Sequence, residues 1–253
     1  MNFLGIDIGC TSIKYGLVCL EDEIRVENFD FIFISQAART QKYIDALTYL
    51  VESMAPYQAV GFGFPSVVLE NKVRDTTPEF HEIWTRVEPL VISRKIPYCA
   101  LNDADAAGVA EVYRREAEEL RKGVTLVITL GTGVGSAIFL NGNLLPNTEL
   151  GMLEMHGMKA EDYMAASVKT RDSLSIAEWS ARLQEYLLIV EKLLTPDHIV
   201  LGGGISAEFE DYRLYIRTGA PLQPAYYRNQ AGVIGAALYA AHKIHQVARV
   251  ASL

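Results

Sequence analysis

The chain has 253 residues, enough for one large domain or two small lobes, and its 50% hydrophobic and 21% charged composition supports a sizeable core. A formal net charge of −8 favours solubility and speaks against generic nucleic-acid binding. No stretch reaches transmembrane length, and the start Met1-Asn2-Phe3-Leu4-Gly5 lacks the basic and apolar regions of a signal peptide, so no membrane partner and a cytoplasmic location are expected.

Residues 3–9, 12–19 and 23–34 read as three strands of a β-meander. Residues 36–55 read as a helix, with Tyr43, Leu47, Leu50 and Val51 at helical spacing. A short buried strand, 59–65, is ended by Pro65. Residues 79–94 are helical or irregular, 97–101 a short strand, and 103–122 a helix. The pattern then restarts with strands at 124–130 and 134–140, an Asn141-Gly142 hairpin turn in which both residues need positive φ, and a further short strand. A helix at 176–194 opens on the capping box Ser175-Ile176-Ala177-Glu178 and stops before Pro196. A strand at 199–201, a tight loop at 202–206 and a last helix at 231–248 complete the chain. Each half thus repeats hairpin or meander, helix, strand, helix. No solenoid repeat and no Pro/Gly/Ser linker separates the halves, so a hinge is expected at the start of the 103–122 helix. Cys10, Cys19 and Cys99 form neither a CxxC pair nor a metal pattern, and free thiols are expected.

Two glycine-rich, hydroxyl-bearing turns break apolar strands. In the first, Gly9, Cys10, Thr11 and Ser12 offer backbone N–H groups and hydroxyls to phosphate oxygens, Lys14 offers charge, and Asp7 can hold Mg²⁺ through water. A plain glycine hairpin is the alternative reading. In the second, Gly131, Thr132, Gly133 and Gly135 alternate along a strand, which either admits a ligand to the backbone or marks a bulge. Asn102 and Asp103 stand where a strand becomes a helix, at the carboxyl edge where ligands bind. Asp103 can take a proton there, and Asp105 either caps the helix or assists Mg²⁺; simple N-capping also explains the pair. Glu149 and Glu154 are suited to sugar hydroxyls or are surface acids. Gly202, Gly203 and Gly204 either let a nucleotide lie on backbone or make a tight turn.

The order of these segments resembles the ROK family of sugar kinases, within the actin-like ATPase superfamily. It runs Asp7-Ile8-Gly9-Cys10-Thr11, Phe64-Pro65-Ser66, Asn102-Asp103-Ala104-Asp105, Leu130-Gly131-Thr132-Gly133-Val134-Gly135, Asn147-Thr148-Glu149-Leu150-Gly151, Gly202-Gly203-Gly204 and Ala231-Gly232-Val233-Ile234-Gly235. Asn147-Thr148-Glu149-Leu150-Gly151, with Glu178-Trp179 and Arg182-Leu183, is similar to the polyphosphate/ATP glucokinase branch.

The resemblance implies an α/β fold of the two-lobed actin-like ATPase (ribonuclease H-like) type, each lobe a mixed sheet flanked by helices. The small lobe would be 1–105, with the C-terminal helix, about 240–253, packing back on it, and the large lobe 106–239. It implies transfer of a phosphoryl group from ATP or polyphosphate to a hexose, with Asp103 as general base. Gly9, Cys10, Thr11, Ser12, Lys14, Gly131, Thr132, Gly133 and Gly135 would hold phosphates. Asn102, Asp103, Glu149, Glu154 and Glu79 would contact the sugar, Gly202–Gly204 the nucleotide, and Asp7 the Mg²⁺. A homodimer is implied and zinc is not, because no cysteine follows Cys99. The sequence departs from the family pattern at Cys10, where a second glycine is usual, and at Met152, where histidine is usual. It departs again at Pro78-Glu79, where a sugar-contacting asparagine is usual. These departures leave open a different sugar, such as an amino sugar, or a degenerate member that binds with little turnover. A repressor of the family would need a helix-turn-helix before the first strand; with that strand read as beginning at about Phe3, and with an acidic net charge, a repressor is not expected.

Overall fold

Alternating apolar residues near the start build a meander of β1 (Asn2–Ile8), β2 (Ser12–Leu20) and β3 (Ile24–Phe33), with Ile8 opposite Ile13 and Asp7 opposite Lys14. The structure is a computed structural model describing residues 1–21, 23–74 and 76–251, with side chains as far as residue 244. The helix α1 (Arg39–Ser53) buries Tyr43, Ile44, Leu47, Leu50 and Val51, the stripe the spacing predicts. Next, β4 (Val60–Phe64) adds parallel to β1. A small hairpin follows, β5 (Val68–Leu69) and β6 (Lys72–Val73). Residues 79–94, left open in the sequence, form a helix, α2 (Pro78–Ser93), with proline in its first turn, where a missing N–H costs nothing. Then β7 (Tyr98–Asn102) adds parallel to β4, giving the sheet order β3-β2-β1-β4-β7. Phe62 and Phe64 meet Trp84 of α2 edge to face, at 5.0 and 5.2 Å.

The helix expected over 103–122 is shorter. α3 (Asp103–Tyr113) ends early and a 3₁₀ turn, Glu118–Arg121, follows. The break lets Ala117 and Leu120 reach the core. Arg121 folds back to donate to the carbonyls of Val112 and Arg114 at 3.3 and 3.0 Å, satisfying the helix end.

A second sheet starts with β8 (Val124–Leu130), β9 (Val134–Leu140) and β10 (Asn143–Leu145). Asn141 (φ 50°) and Gly142 (φ 76°) make the expected left-handed hairpin turn. Then come a hairpin, β11 (Glu154–Met155) and β12 (Met158–Lys159), and the helices α4 (Ala160–Met164), α5 (Ala166–Arg171) and α6 (Ile176–Leu194). The capping box at Ser175 and Glu178 is present in full. Trp179 is fully buried and donates to Met164 O at 2.9 Å. The chain continues through β13 (His198–Gly202), α7 (Phe209–Tyr212) and β14 (Leu222–Pro224). The sheet order is β10-β9-β8-β13-β14, with β13 parallel to both β8 and β14.

The last helix, α8 (Ala231–Ala251), lies against the first sheet through small residues. A Cβ on Gly5 would stand 2.0 Å from Val233 O, and one on Gly61 1.9 Å from Ala236 O, so the helix backbone rests directly on the strands. Two compact units result: residues 1–110 together with the chain from Gly232 onward, and Glu111–Ala231. The division falls after Ala110 and before Gly232, where the sequence suggested 105 and 239. Close contacts of Val233, Gly235 and Ala236 with Gly5, Ala106 and Gly61 draw α8 from Gly232 on into the first unit. The expected residues 252 and 253 of this helix lie outside the described residues. Among the described residues no helix is long and apolar enough to cross a membrane.

Candidate active site

In the first unit, β1, β4 and β7 run parallel and end at one edge. Asp7 lies beside Gly63 in this register, and Gly63 beside Leu101, so Asp7 and Leu101 stand roughly 10 Å apart at two strand spacings, with Asp103 two residues beyond Leu101. Gly63 stands between Asp7 and Asp103: a Cβ there would be in ordinary contact with both, 3.5 Å from Asp103 Cα and 3.8 Å from Asp7 Oδ1. Below Asp7, Gly232 opens α8; a side chain would meet the carboxylate carbon at 2.5 Å. Lys14 Nζ lies 3.3 Å from Asp7 Oδ2, across the hairpin. Asp7 therefore presents one nearly buried carboxylate beside a cation. That donor set fits Mg²⁺, which takes one or two protein carboxylates and otherwise water and phosphate oxygens.

Asp103 opens α3. Its Oδ1 accepts from Ala104 N–H at 2.8 Å. Asn102 is the cap: its oxygen accepts from Ala104 and Asp105 N–H at 2.8 and 3.1 Å, and its amide donates to Ser66 O at 3.4 Å. The asparagine expected to touch sugar is thus engaged in capping the first turn of α3.

The first glycine turn is held from outside. Tyr43 donates to Gly9 O at 2.6 Å, and Arg39 to Cys10 O at 2.7 Å. Glu79, a sugar ligand by resemblance, ion-pairs with Arg39 at 3.4 Å. Cys10 has φ outside the left-handed region, so the thiol replaces the usual glycine without backbone strain. Partial desolvation, then the charge of Asp103, push this thiol above its ordinary range; Arg39 pulls it down and Glu79 adds to the rise. Cys10, Asp103, Arg39 and Glu79 therefore share one electrostatic neighbourhood.

The second unit has its own rim, at the carboxyl ends of β8 and β13. In the turn 131–133, Gly131 N donates to Gly133 O at 3.0 Å. Ser167 of α5 holds this turn, its N–H on Gly131 O at 3.0 Å and its hydroxyl on Thr132 O at 2.7 Å. A Cβ on Gly131 would meet nothing within 4 Å, so the space is open to a ligand; Gly135 lies in β9 opposite Thr129. Gly202 pairs with Thr129 in register. Gly203, at φ 81°, requires glycine both for its conformation and because a Cβ would strike Leu130 O at 2.2 Å, while Gly204 faces open space.

Glu149 and Glu154 are both exposed. Glu154 stands opposite Lys159 in its hairpin. Glu149 senses Glu161: partial desolvation, then the Glu161 charge, hold the Glu149 carboxyl above its ordinary value of 4.5. Stability linked to this group is complete below 4.5 and is lost as pH rises through the raised value. Replacing Glu161 with glutamine is expected to bring the Glu149 pKa down and flatten that loss, which a carboxyl NMR titration checks. Met152 is exposed in the 3₁₀ turn Leu150–Met152.

Sequence reasoning missed Arg39, Ser167 and Glu161, read Tyr43 only as core, and gave Gly232 no role beyond the segment Ala231–Gly235. A carboxylate oxygen of Glu161 lies 2.7 Å from where a Gly133 Cβ would be, with Lys159 Nζ 3.7 Å from its other oxygen. None of these carries a local motif; only the small-residue start of α8 hinted at Gly232.

The sequence matches the ROK family over residues 3–156. Over 92% of its length the chain is 34% identical to the polyphosphate glucokinase of Mycobacterium leprae, covering 73% of that protein. It is 32% identical to that of Mycobacterium tuberculosis, again over 92% of its length, covering 89% of the relative. The crystal structure of the inorganic polyphosphate/ATP-glucomannokinase from Arthrobacter sp. strain KM superposes with a TM-score of 0.85 at 35% identity, over 96% of this chain and 99% of that one. With two mixed sheets in the order of the actin-like ATPase fold, each flanked by helices, and this likeness along nearly its whole length, the chain belongs to the ROK family.

Proposed function

We propose that this sugar kinase transfers a phosphoryl group from ATP or inorganic polyphosphate to a hexose hydroxyl, with Asp103 as general base. The observation that carries the reading is the placement of Asp103. It leads α3 from the carboxyl edge of the first sheet, its carboxylate oriented by Ala104 N–H in a helix turn capped by Asn102, with Asp7 and the first glycine turn beside it. The relatives named polyphosphate glucokinase and polyphosphate/ATP-glucomannokinase support both donors and a hexose acceptor.

In phosphoryl transfer the transition state is loose, so alignment and charge neutralisation matter more than a strong base. Asp103, at the N-terminus of α3, would accept the proton as the sugar hydroxyl attacks. The turns at Gly9–Ser12 and Gly131–Gly135, with Lys14, would hold the donor's phosphates, and the loop at Gly202–Gly204 the nucleotide. Asp7 would hold Mg²⁺, which when bound neutralises phosphate charge. Glu149 and Glu154 would address sugar hydroxyls. A cytoplasmic homodimer is the setting this reading expects.

The test is a matrix of hexoses and amino sugars against ATP and polyphosphate with Mg²⁺. Transfer to at least one hexose is expected. Silence across the panel with both donors, from folded protein, removes the kinase reading in favour of a binding protein.

A further inference from the structure

We infer that Arg39 and Tyr43 are positioning residues for the phosphoryl donor: they rotate the peptides of the first glycine turn so that its N–H groups face the donor's phosphates. This rests on the phosphate role proposed for that turn. Four successive carbonyls there have partners inside the protein. Gly9 O accepts from Tyr43 OH at 2.6 Å, Cys10 O from Arg39 Nη2 at 2.7 Å, Thr11 O from Ile34 N at 2.9 Å, and Ser12 O from Gly9 N at 2.9 Å.

In a trans peptide, C=O and N–H point to opposite sides. Drawing the Gly9 carbonyl toward Tyr43 turns the Cys10 N–H away from α1, and drawing the Cys10 carbonyl toward Arg39 turns the Thr11 N–H away as well. Arg39 and Tyr43 are one helical turn apart on α1, with the guanidinium 5.5 Å from the ring centre, so both peptides are drawn to the same side. Successive N–H groups turned one way make an anion-binding concavity, and carbonyls that would repel phosphate are tied back.

Two further features hold this arrangement. Glu79 of α2 pairs with the Arg39 Nε side at 3.4 Å, while Nη2 also reaches Tyr43 OH at 3.5 Å. Ala38, just before Arg39, is left-handed at φ 52° with no side-chain cap, a conformation unfavourable for alanine. The chain accepts that strain at the residue that delivers Arg39 to the turn. Glu79 thereby acquires a role other than sugar contact, which separates the two assignments experimentally.

Tyr43→Phe and Arg39→Met are made in the full chain. Binding of inorganic tripolyphosphate with Mg²⁺, and separately of glucose, is measured by calorimetry, with thermal unfolding alongside. Each variant is expected to weaken tripolyphosphate about tenfold, as loss of one hydrogen bond implies, and to leave glucose binding unchanged. Arg39→Lys is expected to recover part of the loss. Glu79→Gln should weaken tripolyphosphate rather than glucose. Unchanged tripolyphosphate binding in both folded variants, or glucose binding that weakens in step, overturns the inference. Should Arg39→Met not fold, Tyr43→Phe, which removes a single oxygen, decides alone. Wild-type protein that binds tripolyphosphate yet phosphorylates no hexose removes the kinase reading and leaves this one standing; wild-type protein that binds no tripolyphosphate overturns it.

Discussion

Replacing Asp103 with asparagine lowers kcat by roughly 10²- to 10⁴-fold, the range general-base groups contribute, and leaves the fold in place. The amide is nearly isosteric, and its oxygen can still accept from Ala104 N–H, the contact that orients the carboxylate at 2.8 Å. Asn102 keeps capping α3, because its own bonds to Ala104 and Asp105 N–H do not involve Asp103. The negative charge is lost, and with it the capacity to take a proton. KM for the donor should change little if, as proposed, the glycine turns hold it. Measurement of kcat and both KM values, with the unfolding midpoint as control, checks this. A variant that keeps most of the wild-type kcat would assign the base elsewhere.

Gly235→Ala destabilises the protein by about 3 kcal/mol or more, at the upper end of what overpacking costs. In isolation the change favours the helix by about 1 kcal/mol. The packing term opposes it and is larger. The added Cβ would stand 1.6 Å from Ala106 O and 3.1 Å from Ala110 N, against the backbone of α3, where no side-chain rotation gives relief. Moving α8 outward would open its contacts with Gly5 and Gly61, both with backbone atoms nearer than 2.1 Å to a built Cβ. It would also shift Gly232 from beneath Asp7, so residual activity should fall together with stability. Gly204→Ala, which meets nothing within 4 Å, is the control and should leave the urea midpoint nearly unmoved.

The elements legible in the sequence were those with local causes. The meander, the Asn141-Gly142 turn, the box at Ser175 and the apolar stripe of α1 each follow from residues close in the chain. The early end of α3 did not, because it depends on Arg121 returning to Val112 and Arg114 and on burial of Leu120. Short pieces such as α4 and β14 carry too few residues for a period to show; packing against neighbours forms them. The placement of Asp7, Gly9 and Asp103 at one sheet edge could be anticipated because parallel strands end together. The clamp from Arg39 and Tyr43 could not, because carbonyl orientation leaves no mark in residue type. Glu79 shows the same limit: a carboxylate near the expected sugar position was visible, its partner Arg39 was not.

Gly203 carries a mechanical consequence. Its Cα is seated against the Leu130 carbonyl, with Gly202 opposite Thr129, so the two loops at this rim touch backbone to backbone. At Gly203 the three nearest atoms a Cβ would meet are all backbone atoms of Leu130, with no side chain among them to absorb a shift. Moving Gly203 by a few tenths of an ångström moves the peptide leading into Gly131, and the two loops behave as a single stiff part. Any ligand at this rim would meet a shape set before it arrives.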